Sequence, residues 1–259
     1  MSPAMKLVTW NVNSIRQRLE RLQALLARHA PDVVCLQETK VVDAEFPADE
    51  LRAAGYESVA VGQKSYNGVA ILAKLALAEV AKGFRDGGDD AQARLLAATV
   101  AGVRVICAYA PNGQSLGSEK YAFKLEWYER LRKLLEREAD PARELALVGD
   151  FNVAPSDLDV HDPEAWRGQV LCSEPERAAL ARLCDWGLVD AFRDKYPERV
   201  AFTWWDYREL GFPKNKGLRI DHLLLTAPLR ARLDDVVIDR QERKGKLPSD
   251  HAPVLGTFK

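Results

Sequence analysis

The sequence predicts an α/β fold of the α+β type: two stacked, mixed but mainly antiparallel β-sheets with helices on their outer faces. Three observations predict it. Short apolar runs of strand length recur along the whole chain. A hairpin signal, Ala101-Gly102, joins two of them, and only a few segments carry a long helical period. With 259 residues, 47% of them hydrophobic, the chain has enough apolar surface for one large core. No Pro- or Ser-rich linker, low-complexity tract or internal repeat interrupts it, so residues 1–259 are expected to form a single domain.

The elements follow in order. Residues 6–10 read as a strand, and Ile15, Leu19, Leu22, Leu25 and Leu26 recur at helical spacing until Pro31 ends the helix. Residues 33–36 form a second buried strand. Residues 56–61 and Val69–Ala73 are strands around the turn-like S-Y-N-G. The segment 83–94, rich in glycine and acids, reads as a solvated loop. Leu95–Val100 and Val103–Tyr109 are the hairpin strands. Glu119–Glu138 is a long amphipathic helix with Tyr121, Leu125, Tyr128, Leu131, Leu134 and Leu135 on one face. The run L-A-L-V at 145–148 is a buried strand, which Gly149 lets turn sharply and Pro155 keeps from resuming. Residues 174–186 read as a helix with Pro175 in its first turn and Gly187 past its end. Strands follow at 201–205, 218–225, 236–239 and Val254–Phe258.

Composition excludes several classes. The net charge of -1 gives no global field for a polyanion, so any nucleic acid must be held by local charge. Cys35, Cys107, Cys172 and Cys184 contain no C-x-x-C pair and read as small core residues in a reducing compartment. The N-terminus has no signal-like apolar stretch and no run reaches the ~18 residues of a membrane span. The expectation is a cytoplasmic protein, nucleoid-associated if prokaryotic, with no membrane partner.

The strand ends tell a common story. The first ends in W-N-V-N, giving Asn11 and Asn13; the second in Q-E-T-K, giving Gln37, Glu38 and Lys40. The strand ending at Tyr109 continues into A-P-N with Asn112, and the run at 145–148 into G-D-F-N with Asp150 and Asn152. R-I-D-H supplies Asp221, and S-D-H supplies Asp250 and His251. Each has a local explanation, such as an Asx turn for Asp150 and Asn152. Gathered at one rim, however, unpaired carboxylates raise one another's pKa values unless a cation sits among them. Carboxylate and amide oxygens with one histidine and no thiolate suit Mg²⁺, with Mn²⁺ as a substitute, far better than zinc. Mg²⁺ in turn favours phosphate-ester chemistry.

The set W-N-V-N-S-I-R, L-Q-E-T-K, N-G-V-A-I-L, Y-A-P-N, G-D-F-N-V-A-P, W-W-D-Y-R, G-L-R-I-D and S-D-H-A-P, spread from Trp10 to Pro253, resembles the exonuclease III family of apurinic/apyrimidinic endonucleases, in the endonuclease/exonuclease/phosphatase superfamily. The resemblance implies a four-layered sandwich. It makes Glu38 the principal metal ligand, helped by Asp250 and by Asn11 or Asn13, with Asp150 and Asn152 also at the metal. Asn13 stands where some relatives carry an acid. Asp150 activates water or assists the leaving group, Asn152 positions the scissile phosphate, and Asp221 pairs with His251. Tyr109, Asn112 and His251 contact the phosphate. Whether Asp150 or the His251–Asp221 pair takes the water's proton is left open, as is the part of Tyr109.

Two basic runs abut these residues. P-K-N-K-G-L-R places Lys214, Lys216 and Arg219 before Asp221, and D-R-Q-E-R-K-G-K places Arg240, Arg243, Lys244 and Lys246 before Asp250. They read as contacts to backbone phosphates, with Lys40 and Lys64 extending the track. Alternation along a strand sends one of Trp204 and Trp205 inward and leaves the other for a pocket. By the resemblance, that pocket, with Leu218 and Ile220, accepts an extruded baseless sugar.

The expected activity is Mg²⁺-dependent cleavage 5′ to abasic sites in double-stranded DNA, leaving a 3′-hydroxyl, with processing of blocked 3′ ends and 3′-to-5′ exonuclease action, by a monomer. A phosphatase or phosphoinositide or phospholipid hydrolase of the same superfamily is the alternative, and a non-catalytic DNA-lesion binder a third. The loop 154–170, with His161 and Trp166, is placed to restrict which DNA ends enter.

Overall fold

Runs of apolar residues separated by turn-forming ones become fourteen strands and seven α-helices among the residues that the computed structural model describes, 4–88 and 91–259. The first half contains β1 (Met5–Asn11), α1 (Ile15–His29), β2 (Val33–Gln37), α2 (Ala48–Ala53), β3 (Glu57–Val61), β4 (Val69–Ala73) and β5 (Ala78–Lys82). Next come β6 (Leu95–Val100), β7 (Val103–Tyr109), α3 (Glu119–Glu138), β8 (Leu145–Asp150), α4 (Pro163–Trp166) and α5 (Glu174–Asp185). The chain continues with β9 (Leu188–Asp190), α6 (Ala191–Lys195), β10 (Trp204–Trp205), β11 (Gly217–Leu218), β12 (Asp221–Thr226), α7 (Ala227–Arg230), β13 (Leu233–Ile238) and β14 (Val254–Phe258).

Two six-stranded sheets result, in the orders β13-β14-β1-β2-β4-β3 and β5-β6-β7-β8-β12-β9. Each is antiparallel except at one central pair: β1 runs parallel to β2 and β7 parallel to β8. The sheets stack through Leu7, Cys35, Ile71, Val105, Val148 and Leu223, which are buried between them. The outer face of the first sheet meets α1 through Val8, Trp10, Leu22 and Leu26. That of the second meets α3 and α5 through Ile106, Leu147, Trp127, Leu131 and Leu183. The order is therefore helix, sheet, sheet, helix, the predicted sandwich. No described helix is long and apolar enough to cross a membrane.

The departures have physical reasons. The strand predicted over 218–225 is broken into β11 and β12, because Arg219 leaves the ladder to pair with Asp159 and Asp190 and Ile220 bonds through its N–H to Thr203 Oγ1. The strand predicted over 201–205 shrinks to β10, which pairs with β11 in a separate two-stranded ribbon. The strand predicted over 236–239 begins earlier, at Leu233, and carries an irregularity between Leu233 and Asp235. β5 was missed because it is an exposed strand with one buried residue, Ala81, and so lacks the alternation that marks a strand. On α3 the buried face includes Lys124 and Trp127, while Leu125 is only half-buried. Residues 89 and 90 of the predicted 83–94 loop lie outside the described residues.

Candidate active site and metal centre

Both parallel pairs end at the same rim. Asn11 lies opposite Gln37 at the ends of β1 and β2, and Tyr109 opposite Asp150 at the ends of β7 and β8. Asp221 opens β12 directly across from Asp150. His251, just before β14, forms an isolated bridge with Trp204. Register thus carries side chains from six separate segments to one place. The backbone is contorted there: Asn13, Ser14, Glu38 and Asn152 all have positive φ, uncommon for residues other than glycine and frequent at functional sites.

At the centre are Glu38, Asp150 and His251, each with one ligand atom within 4.8 Å of the others. His251 Nδ1 lies 2.8 Å from Asp221 Oδ2, and its Nε2 lies 3.8 Å from Asp150 Oδ2. Burial alone would depress the imidazolium, yet Asp221, Asp150 and Asp250 reverse that and push the pKa of His251 up to about 10. Asp150 moves up to about 7, chiefly through burial, against the pull of His251 and with Asp221 and Glu38 adding to the rise. Asp150 Oδ1 accepts the Asn152 N–H at 2.9 Å, the local Asx turn, which leaves Oδ2 for the site.

Asn11 is fully buried and its amide orientation follows from its neighbours. Oδ1 accepts the Asn13 N–H at 3.0 Å, so Nδ2 donates to Glu38 Oε1 at 2.8 Å and to Asp150 Oδ2 at 2.9 Å. This corrects its expected role as an oxygen ligand: it is a donor that spans the two carboxylates. Asp250 accepts from Asn13 Nδ2 at 2.9 Å and from Trp204 Nε1 at 3.1 Å. Against the effect of burial, His251 and these donors hold its carboxyl below the usual range. Lys40 Nζ lies 2.8 Å from Glu38 Oε2 and also bonds Asn13 Oδ1, so it turns into the site.

Tyr109 is a phenol held well above its ordinary pKa, first by burial and then by Glu38, with Arg94 opposing. It is therefore a donor at neutral pH. Asn152 donates from Nδ2 to Ala110 O at 3.0 Å, and its Oδ1 accepts from Asn112 Nδ2 at 3.2 Å. The two amides touch at the mouth of the site, Asn112 exposed and Asn152 beneath it.

The residues present fit a hard divalent cation. The cluster offers two carboxylates and one imidazole, no thiolate, and a raised Asp150 pKa that nearby positive charge would relieve. The Lys40 ammonium already stands against Glu38 as a positive charge.

Several predicted contacts are corrected. Trp205 is completely buried, packed edge-on to Phe212 at 5.1 Å between ring centroids, and so is core. Trp204 is only partly buried and reaches Asp250. Leu218 and Ile220 are buried in one cluster with Ala154, Val160, Leu171 and Cys172, so neither side chain faces solvent. Arg219 is also buried, 2.7 Å from Asp159 and 2.8 Å from Asp190, and cannot reach a phosphate. Arg243 is enclosed by the rings of Trp205, Tyr207 and Phe212. Lys214, Lys216, Lys244 and Lys246 are exposed.

The sequence reading missed two supports beneath these loops. Arg219 Nη1 lies 2.9 Å from His222 Nδ1, and His222 Nε2 lies 2.9 Å from Val153 O. Arginine can only donate, so Nδ1 accepts and Nε2–H donates to the carbonyl just after Asn152. The other support is Lys124, whose helical spacing between Tyr121 and Tyr128 was a visible signal of burial.

The profile described as the Endonuclease/Exonuclease/phosphatase family matches residues 8–251. Exodeoxyribonuclease III of Haemophilus influenzae is 39% identical over 267 residues, covering 98% of this chain and all of that protein. The structure of the 3′ phosphatase NExo from Neisseria, bound to a product DNA hairpin, matches with a TM-score of 0.96 at 44% identity, over 98% of this chain and 99% of that one. An AP endonuclease from Archaeoglobus fulgidus matches with a TM-score of 0.95 at 37% identity, over 98% and 99%.

Proposed function

The chain belongs to the endonuclease/exonuclease/phosphatase family, as a hydrolase of the exonuclease III and AP endonuclease type, and from that premise we propose that it hydrolyses phosphate esters of damaged double-stranded DNA with Mg²⁺. It cuts 5′ to abasic sites and clears blocked 3′ ends, leaving a 3′-hydroxyl, and removes nucleotides from 3′ ends. The observation that carries this reading is the convergence of Glu38, Asp150 and His251, backed by Asp221.

A phosphodiester resists attack because its oxygens are already anionic, so the site must neutralise charge while delivering water. Glu38 and Asp150 would hold a divalent ion, which would supply Lewis acidity to the site. His251, with a pKa near 10, is an imidazolium at neutral pH and so serves as charge stabiliser, with Asp221 fixing its ring. Asp150, which burial raises to about 7 in the metal-free protein, serves as proton acceptor for the attacking water. Tyr109, Asn112 and Asn152 donate to the non-bridging oxygens. The exposed Lys214, Lys216 and Lys244 hold the duplex through its phosphates.

A second reading ranks blocked 3′ ends above abasic sites, favoured by the burial of Leu218 and Ile220, which keeps both side chains from contacting an extruded sugar. One assay of the purified chain tests both: a duplex with an abasic analogue, a recessed 3′ end and a 3′-phosphate end, with inositol polyphosphate in parallel. Turnover of the inositol phosphate alone points to the phosphatase alternative, and binding of DNA without turnover in Mg²⁺ to a lesion binder.

A further inference from the structure

Asn112 and Asn152 sit on separate loops, yet a single buried ammonium holds both. Lys124 is fully buried on α3, and its Nζ donates to Asn112 O at 3.1 Å, to Asn152 O at 2.7 Å and to Glu176 Oε2. Three donors meet three acceptors, so the ammonium has no bond left to offer elsewhere. Glu176 is as deeply buried, and its other oxygen accepts from Ser173 N at 3.1 Å and Ser173 Oγ at 2.6 Å in the capping box that starts α5. Tyr128, one turn along α3, donates to Phe151 O at 2.5 Å.

A buried ion pair is a weak device for stability, since two apolar side chains of like volume are often as good or better. An ammonium can do what a methyl group cannot, which is to tie carbonyls from two loops to one point. Those loops present amides in contact with each other at 3.2 Å, and Asn152 is held in the left-handed region at φ 52°. We infer that Lys124, held by Glu176, is a positioning residue that fixes the spacing of the Asn112 and Asn152 amides for the scissile phosphate. The inference rests on the reading of those amides as phosphate contacts.

The test compares Lys124→Met with the double variant Lys124→Met/Glu176→Leu, reading melting temperature, kcat and KM on a 3′-phosphate duplex, and the side-chain amide NMR resonances of Asn112 and Asn152. The single variant should melt lower, because it leaves Glu176 buried without its cation. The double variant should recover the melting temperature but keep a kcat loss of about 30- to 100-fold, the scale of a small misplacement at a reacting centre, with both amide resonances moved. Recovery of kcat together with the melting temperature would overturn the inference. If the wild-type chain turns over no DNA substrate, the functional reading fails, and the amide resonances alone decide this one: unmoved, they overturn it. Should the double variant not fold, Lys124→Gln takes its place, because it keeps a polar group beside Glu176 but cannot reach both carbonyls as the ammonium does. Its kcat should fall by about tenfold or more with both amide resonances moved, and a kcat within about threefold of wild type in folded protein would overturn the clamp.

Discussion

His251 Nδ1 stands 2.8 Å from Asp221 Oδ2, with both side chains buried, so the imidazole is held in one orientation and in its charged form. Asp221 is also the β-ladder partner of Asp150. The group that orients the histidine and the group read as base are therefore fixed by one backbone register.

The first prediction concerns that pair. His251→Ala should lower kcat on every DNA substrate by about 10²-fold or more, with little change in DNA affinity. Asp221→Asn should act in the same direction but more mildly. Near-native turnover in both variants would make the pair structural.

A pH profile separates the two roles. Activity needs Asp150 deprotonated and His251 protonated, so kcat/KM should fall through about pH 10, while the acidic limb set by Asp150 should lie below about 7 with Mg²⁺ bound, because the cation favours the carboxylate. In Asp221→Asn the histidine loses a carboxylate that raises it, and the alkaline limb should move down by about one unit or more. Stability follows the same signs. Both folded pKa values lie above the ordinary ones, so the metal-free protein should lose stability as pH rises toward 7 and again toward 10. A thermal scan across pH that showed stability rising instead would contradict these assignments.

Metal binding is predicted from the Glu38 cluster. Chelation should abolish hydrolysis, and Mg²⁺ or Mn²⁺ should restore it. Calorimetric titration of Glu38→Ala with Mg²⁺ should show weaker binding than wild type. Full activity in chelator would remove the metal from the account.

The aromatic pair divides by burial. Trp205→Ala should cost about 3–5 kcal/mol of stability, as a large core truncation does, and lower all activities together through the folded fraction. Trp204→Ala should leave a folded protein that loses its bond to Asp250 and cuts abasic DNA less well relative to a 3′-phosphate. Equal losses on both substrates in fully folded Trp204→Ala would move lesion recognition elsewhere, first to the loop carrying His161.

The basic residues divide in the same way. Arg219→Met should destabilise by about 3 kcal/mol, because it leaves the buried Asp159 and the half-buried Asp190 without their shared cation, without altering the salt dependence of DNA binding. Lys214→Ala, Lys216→Ala and Lys244→Ala should each weaken binding and reduce the salt slope by about one. A reduced slope in folded Arg219→Met would contradict its burial.

Most of the architecture was legible because buried strands in a two-sheet stack are continuous apolar runs, and α3 was read to its exact ends, Glu119–Glu138. The acids and amides were legible because they stop those runs. What a run cannot reveal is the direction a polar side chain takes after it. Arg219 reads as one more cation before Asp221, yet its partners Asp159 and Asp190 lie on other segments and draw it inward. Asn11 reads as an oxygen donor until the Asn13 N–H claims that oxygen. Lys124 was visible as a lysine on an apolar face, but the two carbonyls that explain its burial belong to distant loops.

The central claim is metal-dependent hydrolysis that leaves a 3′-hydroxyl. The most direct measurement is polymerase extension of a 3′-phosphate-blocked primer on a DNA template after incubation with the purified chain. Extension should appear with Mg²⁺, fail in chelator, and fall by about 10²-fold or more in rate for His251→Ala. No extension with wild-type protein and Mg²⁺, or equal extension with and without the metal, would contradict the account.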